Sequence, residues 1–433
     1  MANVDQAAIV DRYKQYVFPA VVPLYGDEPL VIDRAKDQYI WDIQGNRYLD
    51  MFGGVLTVSV GHANDEITER TAEQLKKAQH TSTLYINPTM VDVAEKVAQL
   101  TPGRLQKSYF TNSGSEANET AIIAARMYTG NMEIITLRHA YSGRTQGAMS
   151  LTAHGNWRMG GVWDPYIRHV KNPYLYRFPG NLTPEQMVDY CIADLEEVIA
   201  TLTTGRIAAF MAEPIQGVGG FIVPPKDYFR RVHEIVKKHG GLFIADEVQT
   251  GWTRTGEKWF GIEQWGVEPD IMTFAKGMAN GSPIGCTVAT PEVADALKGT
   301  TFSTFGGNPV TMATALATIE YMEAHNLVQH THTQGEILRE KLEEYQSEFP
   351  FIGDVRGMGL MFGIELVVPD GSKKPDAART TALVNAARKH GLLIGKGGLY
   401  GNVVRITPHL NIDPADMQQG LDLIGKALAD VAQ

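Results

Sequence analysis

Gly241-Leu242-Phe243-Ile244-Ala245-Asp246-Glu247-Val248-Gln249-Thr250-Gly251 is the stretch whose reading decides the architecture. A nearly continuous apolar run ends in an acid, with no alternation of polar and apolar positions. A short run of that kind belongs to a strand covered on both faces. Its terminal acid then falls at the carboxyl edge of the sheet, where open α/β sheets bind ligands. Thirty residues later the pattern recurs in Pro269-Asp270-Ile271-Met272-Thr273-Phe274-Ala275-Lys276-Gly277-Met278, which delivers a lysine to the same edge. Residues 107–111, 133–137 and 207–212 have the same character, and helical segments separate them. From about 90 to 300 the chain therefore predicts a mostly parallel sheet between helix layers.

A chain of 433 residues exceeds the size at which one core keeps growing, so two units are expected: 61–308, and 1–60 together with 309–433. The N-terminal part reads as a helix from Val4 to Tyr16 and a hairpin in which 38–43 turns at Gln44-Gly45-Asn46 into 47–51. From Pro309 one helical run extends to about Tyr345. Residues 359–366, 391–394 and 403–406 read as strands, and Asp413-Pro414 opens a closing helix. Hydrophobic residues make up 44% and charged residues 20%, enough to build a core. The 39 basic residues against 49 acidic ones leave a formal charge of −10, which argues against a nucleic-acid footprint. No run reaches the ~18 apolar residues of a membrane span, and no secretory signal opens the chain, so a cytoplasmic protein is expected. Cys191 and Cys286 form neither a disulfide framework nor a zinc pattern. The twelve histidines show no ligand spacing, so no metal is expected.

The chemistry lies in three segments. In Tyr109-Phe110-Thr111-Asn112-Ser113-Gly114-Ser115-Glu116-Ala117-Asn118-Glu119 a strand runs through a Ser/Gly turn into a helix. Free amides at a helix start, two hydroxyls and a glycine can hold a phosphate. Asp246 can hold a metal, a ribose hydroxyl or a protonated ring nitrogen. Lys276, partly desolvated, can form a Schiff base. Each has a plain reading alone: a Ser cap, a solvated strand-end acid, a snorkelling lysine. Together, a phosphate cradle, a carboxylate and a lysine at one edge match the three handles of pyridoxal phosphate.

These motifs, with Glu213-Pro214-Ile215-Gln216-Gly217 and Thr304-Phe305-Gly306-Gly307-Asn308-Pro309, resemble the class III aminotransferases over nearly the whole chain. Within that class Gly281-Ser282-Pro283-Ile284-Gly285 and Leu393-Ile394-Gly395-Lys396-Gly397-Gly398-Leu399-Tyr400-Gly401-Asn402 are most similar to alanine–glyoxylate and ω-amino-acid transaminases. The resemblance implies an α/β, aspartate-aminotransferase-like fold, type I among pyridoxal-phosphate enzymes. Its large domain carries a mostly parallel seven-stranded sheet between helices, beside a smaller α+β domain. It implies a homodimer, or dimers paired into tetramers, with sites at the interface. The small-molecule partners would be an amino donor, alanine or an ω-amino acid, and a 2-oxo acid such as glyoxylate or pyruvate.

Carried over residue by residue, Lys276 bonds the cofactor and moves the proton, Asp246 pairs with the ring nitrogen, and Tyr141 stacks on the ring. Ser113, Gly114 and Ser115 hold the phosphate, Gln249 lies near the ring hydroxyl, and Thr304 reaches the phosphate of the partner subunit. Arg405 grips the substrate carboxylate with a bidentate fork. Glu213 lies by the cofactor and pairs with Arg405 when no carboxylate is present. Val55, Leu84 and Tyr85 fall where relatives have substrate-pocket residues. Trp157, Trp163 and Arg177 read as packing residues or as the site entrance. Relatives usually carry His where this chain has Ser142, which removes an imidazole beside Tyr141. The same scaffold serves decarboxylases, racemases and phospho-lyases; a non-catalytic α/β nucleotide-binding or interaction protein is the reading from another class.

Overall fold

In the computed structural model, which describes residues 5–433 except 22, 27, 162 and 181, the apolar runs assemble into one seven-stranded sheet. Its spatial order is Lys107–Thr111, Gly285–Ala289, Ile271–Phe274, Leu242–Asp246, Ala209–Ala212, Ile134–Leu137 and Ile167–Val170. The last five are mutually parallel, and only Gly285–Ala289 runs against both its neighbours. Every residue of Ala209–Ala212, Leu242–Asp246 and Ile271–Phe274 is buried, which is why none of these strands alternates. Two strands escaped the sequence reading. Ile167–Val170 puts Arg and His at its centre because it is an edge strand, and Gly285–Ala289 carries Gly, Cys and Thr.

Helix Gly114–Thr129 lies across this sheet on a face of Ala117, Ala121, Ile122, Ala124 and Ala125, residues small enough for close approach. The side chain of Ser113 caps its start by accepting from Glu116 N, and Gly130, at φ 66°, ends it in the left-handed conformation. Its first turn thereby falls beside the carboxyl ends of Leu242–Asp246 and Ile271–Phe274.

The helical run from Pro309 is two helices, Pro309–Ala324 and Leu327–Glu348, not one. The break is Asn326, at φ 48°; asparagine tolerates the left-handed region, and hydrophobic periodicity does not register it. A second sheet runs in the order Ile352–Met358, Met361–Leu366, Val403–Ile406, Gly395–Gly397. Of the expected strand 391–394 only Leu392–Leu393 forms, parallel to Arg47–Asp50 in the sheet that also holds Ile32–Lys36 and Tyr39–Asp42. The N-terminal helix is Gln6–Tyr16 and buries none of its residues; Val4 lies outside the described residues. Asp413 caps the closing helix Pro414–Ala432 as expected. Cys191 and Cys286 are both buried and unpaired, and burial pushes each thiol up to about 12, which makes them inert. Among the described residues no helix is long and apolar enough to cross a membrane.

Candidate active site

The three handles converge. Gly114 and Ser115 from the helix start, Asp246 from its strand end, and Ala275 and Lys276 line one cavity of about 170 Å³. Asn118, Tyr141, Ser142, Gly143, Glu213, Val248 and Gln249 complete its wall.

Asp246 is 3% exposed, and no Lys or Arg among the described residues reaches ion-pair distance of it. Its Oδ2 accepts from Asn118 Nδ2 at 2.9 Å and its Oδ1 from Val248 N at 3.2 Å. Burial raises its carboxyl above the ordinary range, against the hydrogen bond from Asn118 and the charge of Lys276. A buried carboxylate held only by neutral donors is suited to a cation supplied from the cavity. Lys276 has φ 44°, uncommon outside glycine, and burial together with the charge of Arg405 brings its amine down to about 8. Such a lysine is partly neutral near physiological pH and can act as nucleophile or base.

At the other end Ser115 Oγ accepts from Arg144 N at 3.1 Å. The opening amides of a 16-residue helix and the Gly143-Arg144 backbone form an anion cradle around it. Gly143, at φ 132°, has no room for a side chain: a Cβ there would fall on Ser115 Oγ and lie 2.8 Å from Ser115 Cβ. Gly143→Ala should therefore weaken pyridoxal-phosphate binding about tenfold by crowding the cradle, as read by titrating the cofactor-free variant. Unchanged affinity would remove the cradle from the site. Ser113 does not line the cavity; its hydroxyl is spent on the helix cap.

Tyr141 is half-buried, and its ring stands edge-on to Trp157, centroids 5.8 Å apart, so Trp157 borders the site. Trp163 instead lies under the Arg158 guanidinium. Arg177 pairs with Glu365 and lines a separate cavity with Arg138 and His139. Ser142 contributes its backbone: the carbonyl accepts from Asn118 Nδ2 at 2.8 Å, which ties Asn118 to both Ser142 and Asp246. Asn118 was not singled out in the sequence. Its signal was there, four residues after Gly114 and so on the same helix face.

Arg405 is 4% exposed and makes no ion pair among the described residues. Its Nη2 donates to Gln249 Oε1 at 2.9 Å, its guanidinium lies 4.7 Å from the Phe221 ring centre, and its buried Nε has no partner. Burial lowers it to about 10. The expected Glu213–Arg405 pair is absent. Glu213 accepts instead from Gly217 N at 2.8 Å and Tyr141 N at 3.1 Å, because the turn at Ile215-Gln216-Gly217 brings that amide back onto it. Gly217 also lets the Gln249 amide approach Arg405, since a Cβ at 217 would sit 2.6 Å from Gln249 Nε2. Burial and then the neighbouring Asp246 raise the Glu213 carboxyl.

The remaining expected residues do not line the cavity. Thr304 is exposed, as are Leu84 (71%) and Tyr85 (70%), and Val55 sits in a left-handed turn at φ 64°.

A pyridoxal-phosphate molecule fits this donor set: an anion cradle, an uncompensated buried acid, an amine of lowered pKa and an aromatic wall lie around one cavity. The comparisons with known proteins agree. The family model for aminotransferase class-III matches residues 23–428. An alanine–glyoxylate aminotransferase 2 homologue of Arabidopsis thaliana, named as mitochondrial, is 41% identical over 93% of this chain and 83% of its own length. A leucine/methionine racemase of Thermococcus litoralis is 37% identical over 98% of this chain and 96% of its own. The crystal structure of an (S)-enantioselective omega-transaminase from Thermomicrobium roseum superposes with a TM-score of 0.91 at 34% identity, covering 99% of each chain. On this family match, this fold and this cavity, the chain belongs to the class III aminotransferases, pyridoxal-phosphate enzymes that move amino groups between small amino donors and 2-oxo acids.

Proposed function

We propose that the chain transfers the amino group of alanine or an ω-amino acid to glyoxylate or pyruvate, with Lys276, Asp246 and Arg405 as its working groups. The observation that carries this is the meeting of Lys276, Asp246 and the Gly114-Ser115 turn at one cavity whose wall, at Gln249, also holds Arg405. When bound, pyridoxal phosphate supplies an aldehyde that takes up the amino group and a ring that delocalises the electron pair left at the donor carbon. Gly114, Ser115 and the helix amides would bind the phosphate. Asp246 would keep the ring nitrogen protonated, Tyr141 would cover the ring face, and Gln249 would lie near the ring hydroxyl. Lys276 Nζ would take the proton from the donor carbon and deliver it to the carbon on the far side of the transferred nitrogen, two bonds away. Arg405 would orient the carboxylate of amino acid and oxo acid alike, so that binding energy fixes the geometry of proton transfer. Glu213, held by the Tyr141 and Gly217 amides, would serve as the pocket's proton-bearing acid and not as a resting partner of Arg405.

A homodimer belongs to the same reading. Thr304 would reach the phosphate of the partner subunit, and the exposed Leu84, Tyr85, Ile86 and Phe305 would be covered by a second copy, which is what exposed apolar patches commonly mark. So does the division into a large unit, 61–308, and a small one, 1–60 with 309–433, supported by the pairing of Leu392–Leu393 with Arg47–Asp50. A reducing compartment such as the cytoplasm completes it, supported by the two unpaired buried thiols.

Incubation of the holoenzyme with alanine and glyoxylate should give pyruvate and glycine in equal amounts. Racemised alanine without pyruvate would favour the activity named for the Thermococcus relative, and release of CO2 would point to a decarboxylase; either outcome overturns the proposal.

Lys276 also gives the site a pH dependence. The neutral amine is the nucleophile and its pKa lies near 8, so uptake of pyridoxal phosphate by the cofactor-free chain should speed up as pH rises through about 8 and level off above. Arg405→Gln removes a positive neighbour, which should move the midpoint upward. Stopped-flow absorbance reads both; a rate that falls across this range would contradict the assignment.

A further inference from the structure

Four consecutive residues beside the site, Gly53, Gly54, Val55 and Leu56, have φ of 55°, 56°, 64° and 58°. Thr57 N donates to Gly53 O at 2.8 Å, so the segment is one turn of left-handed helix. Glycine adopts this freely, but a β-branched valine and a leucine do so only under constraint, and such turns persist where their surroundings over-determine them.

The constraint is a buried cluster drawn from distant parts of the chain. Asp50 is 2% exposed; its Oδ1 accepts from Phe52 N at 2.8 Å and Gly53 N at 3.0 Å, the two amides that open the turn. Its Oδ2 faces His62 Nε2 at 2.9 Å and His409 Nε2 at 3.5 Å, with the two imidazole rings 5.0 Å apart. Burial alone would raise the Asp50 carboxyl; hydrogen bonds from His409 and His62 outweigh it and hold the group ionised, well below the usual range. Asp50 thus ties the two imidazoles to the amides that open the turn, and the trio acts as a clamp.

The turn touches both ends of the active site. Upstream, the Phe52 ring fills the space where a Gly395 side chain would be and lies 5.4 Å from the Arg405 guanidinium, while Phe52 O accepts from Thr407 Oγ1 at 3.0 Å. Downstream, Ser59 Oγ occupies the side-chain space of Gly277, the residue after Lys276, and Leu56 O borders that space at 3.6 Å. Asn280 Oδ1 fixes that end by accepting from Ser59 N at 2.8 Å and Val60 N at 2.9 Å. The turn is thus a strut between the lysine and the arginine.

We propose that Asp50, backed by His62 and His409, is a positioning residue that holds this left-handed turn and through Phe52 sets Arg405 at the distance from Lys276 that a short carboxylate substrate requires. The inference rests on Arg405 being the carboxylate grip, and the experiment separates the two. Steady-state kinetics of the holoenzyme give kcat and the KM for glyoxylate, and propionate, which carries only the carboxylate, gives an inhibition constant. For Asp50→Ala the KM and the propionate constant should both rise about tenfold with kcat within about threefold, since a small displacement of a positioning group can cost that much or more. Asp50→Asn keeps an oxygen for the two amides but turns a donor toward the histidines, and His62→Gln leaves Oδ1 untouched; each should raise both constants about threefold, less than Asp50→Ala. If Asp50→Ala does not fold, His62→Gln carries the test. A lower kcat with both constants unchanged in Asp50→Ala or His62→Gln overturns the positioning role. Arg405→Ala should raise both constants at least as far. If it does not, the reading of Arg405 fails; if it does and Asp50→Ala does not, only the present inference fails.

Discussion

Lys276→Ala is expected to lower transamination by about 10⁴-fold or more, because it removes a positioned proton carrier and the cofactor's covalent seat at once. No neighbour can stand in. The ionisable groups that act on the lysine, Glu213, Asp246 and Arg405, are a carboxyl whose pKa is raised, a carboxylate committed to Asn118 and Val248, and a guanidinium bonded to Gln249. The variant should still fold, since the lysine sits after its strand and alanine needs no more space. It should also bind pyridoxal phosphate through the Gly114-Ser115 end, but without the visible band of the lysine-bound cofactor. Spectra of the purified variant and its rate with alanine and glyoxylate give the result. Turnover within tenfold of the parent would dismiss Lys276 as the working amine.

Asp246→Asn should be the next most damaging change, with kcat down roughly 10²- to 10³-fold, the cost of stripping one charge from a buried ionic contact. The substitution conserves shape, and the contacts to Asn118 and Val248 can re-form with an amide. What is lost is the negative charge, which burial makes expensive and which only a cation in the cavity would compensate. Affinity for pyridoxal phosphate should fall only a few-fold, because the phosphate cradle is untouched. That split between a large loss in kcat and a small loss in affinity distinguishes a group that stabilises charge during turnover from one that merely holds the cofactor. Equal losses in both would assign Asp246 the lesser role.

Much of this site was legible in the chain. Leu242–Asp246 and Ile271–Phe274 announced themselves as buried strands because every position is apolar or small, and the polar residue ending each run had to lie at the sheet edge. The Ser113-Gly114-Ser115 turn marked a helix start, though only Gly114 and Ser115 face the cavity. The hidden parts were those whose local pattern is weak. Ile167–Val170 is polar at its centre, and the break at Asn326 depends on one backbone dihedral. Arg405 was picked out by resemblance, yet its partner was misjudged: the choice between Glu213 and Gln249 rests on a Cβ that Gly217 lacks and on where one turn returns its amide.

By itself the sequence determined the buried strands, the helix that meets them and the chemical types at their ends, since burial and capping act over a few residues and leave periodic or punctuating signals. The tertiary structure alone decided which side chains bond to which. Asp50, His62 and His409 meet across some 350 residues of chain, Asn118 joins Ser142 to Asp246, and Gln249 holds Arg405. Such pairings depend on ångström-scale approach between segments remote in the chain, which no local pattern of residues encodes.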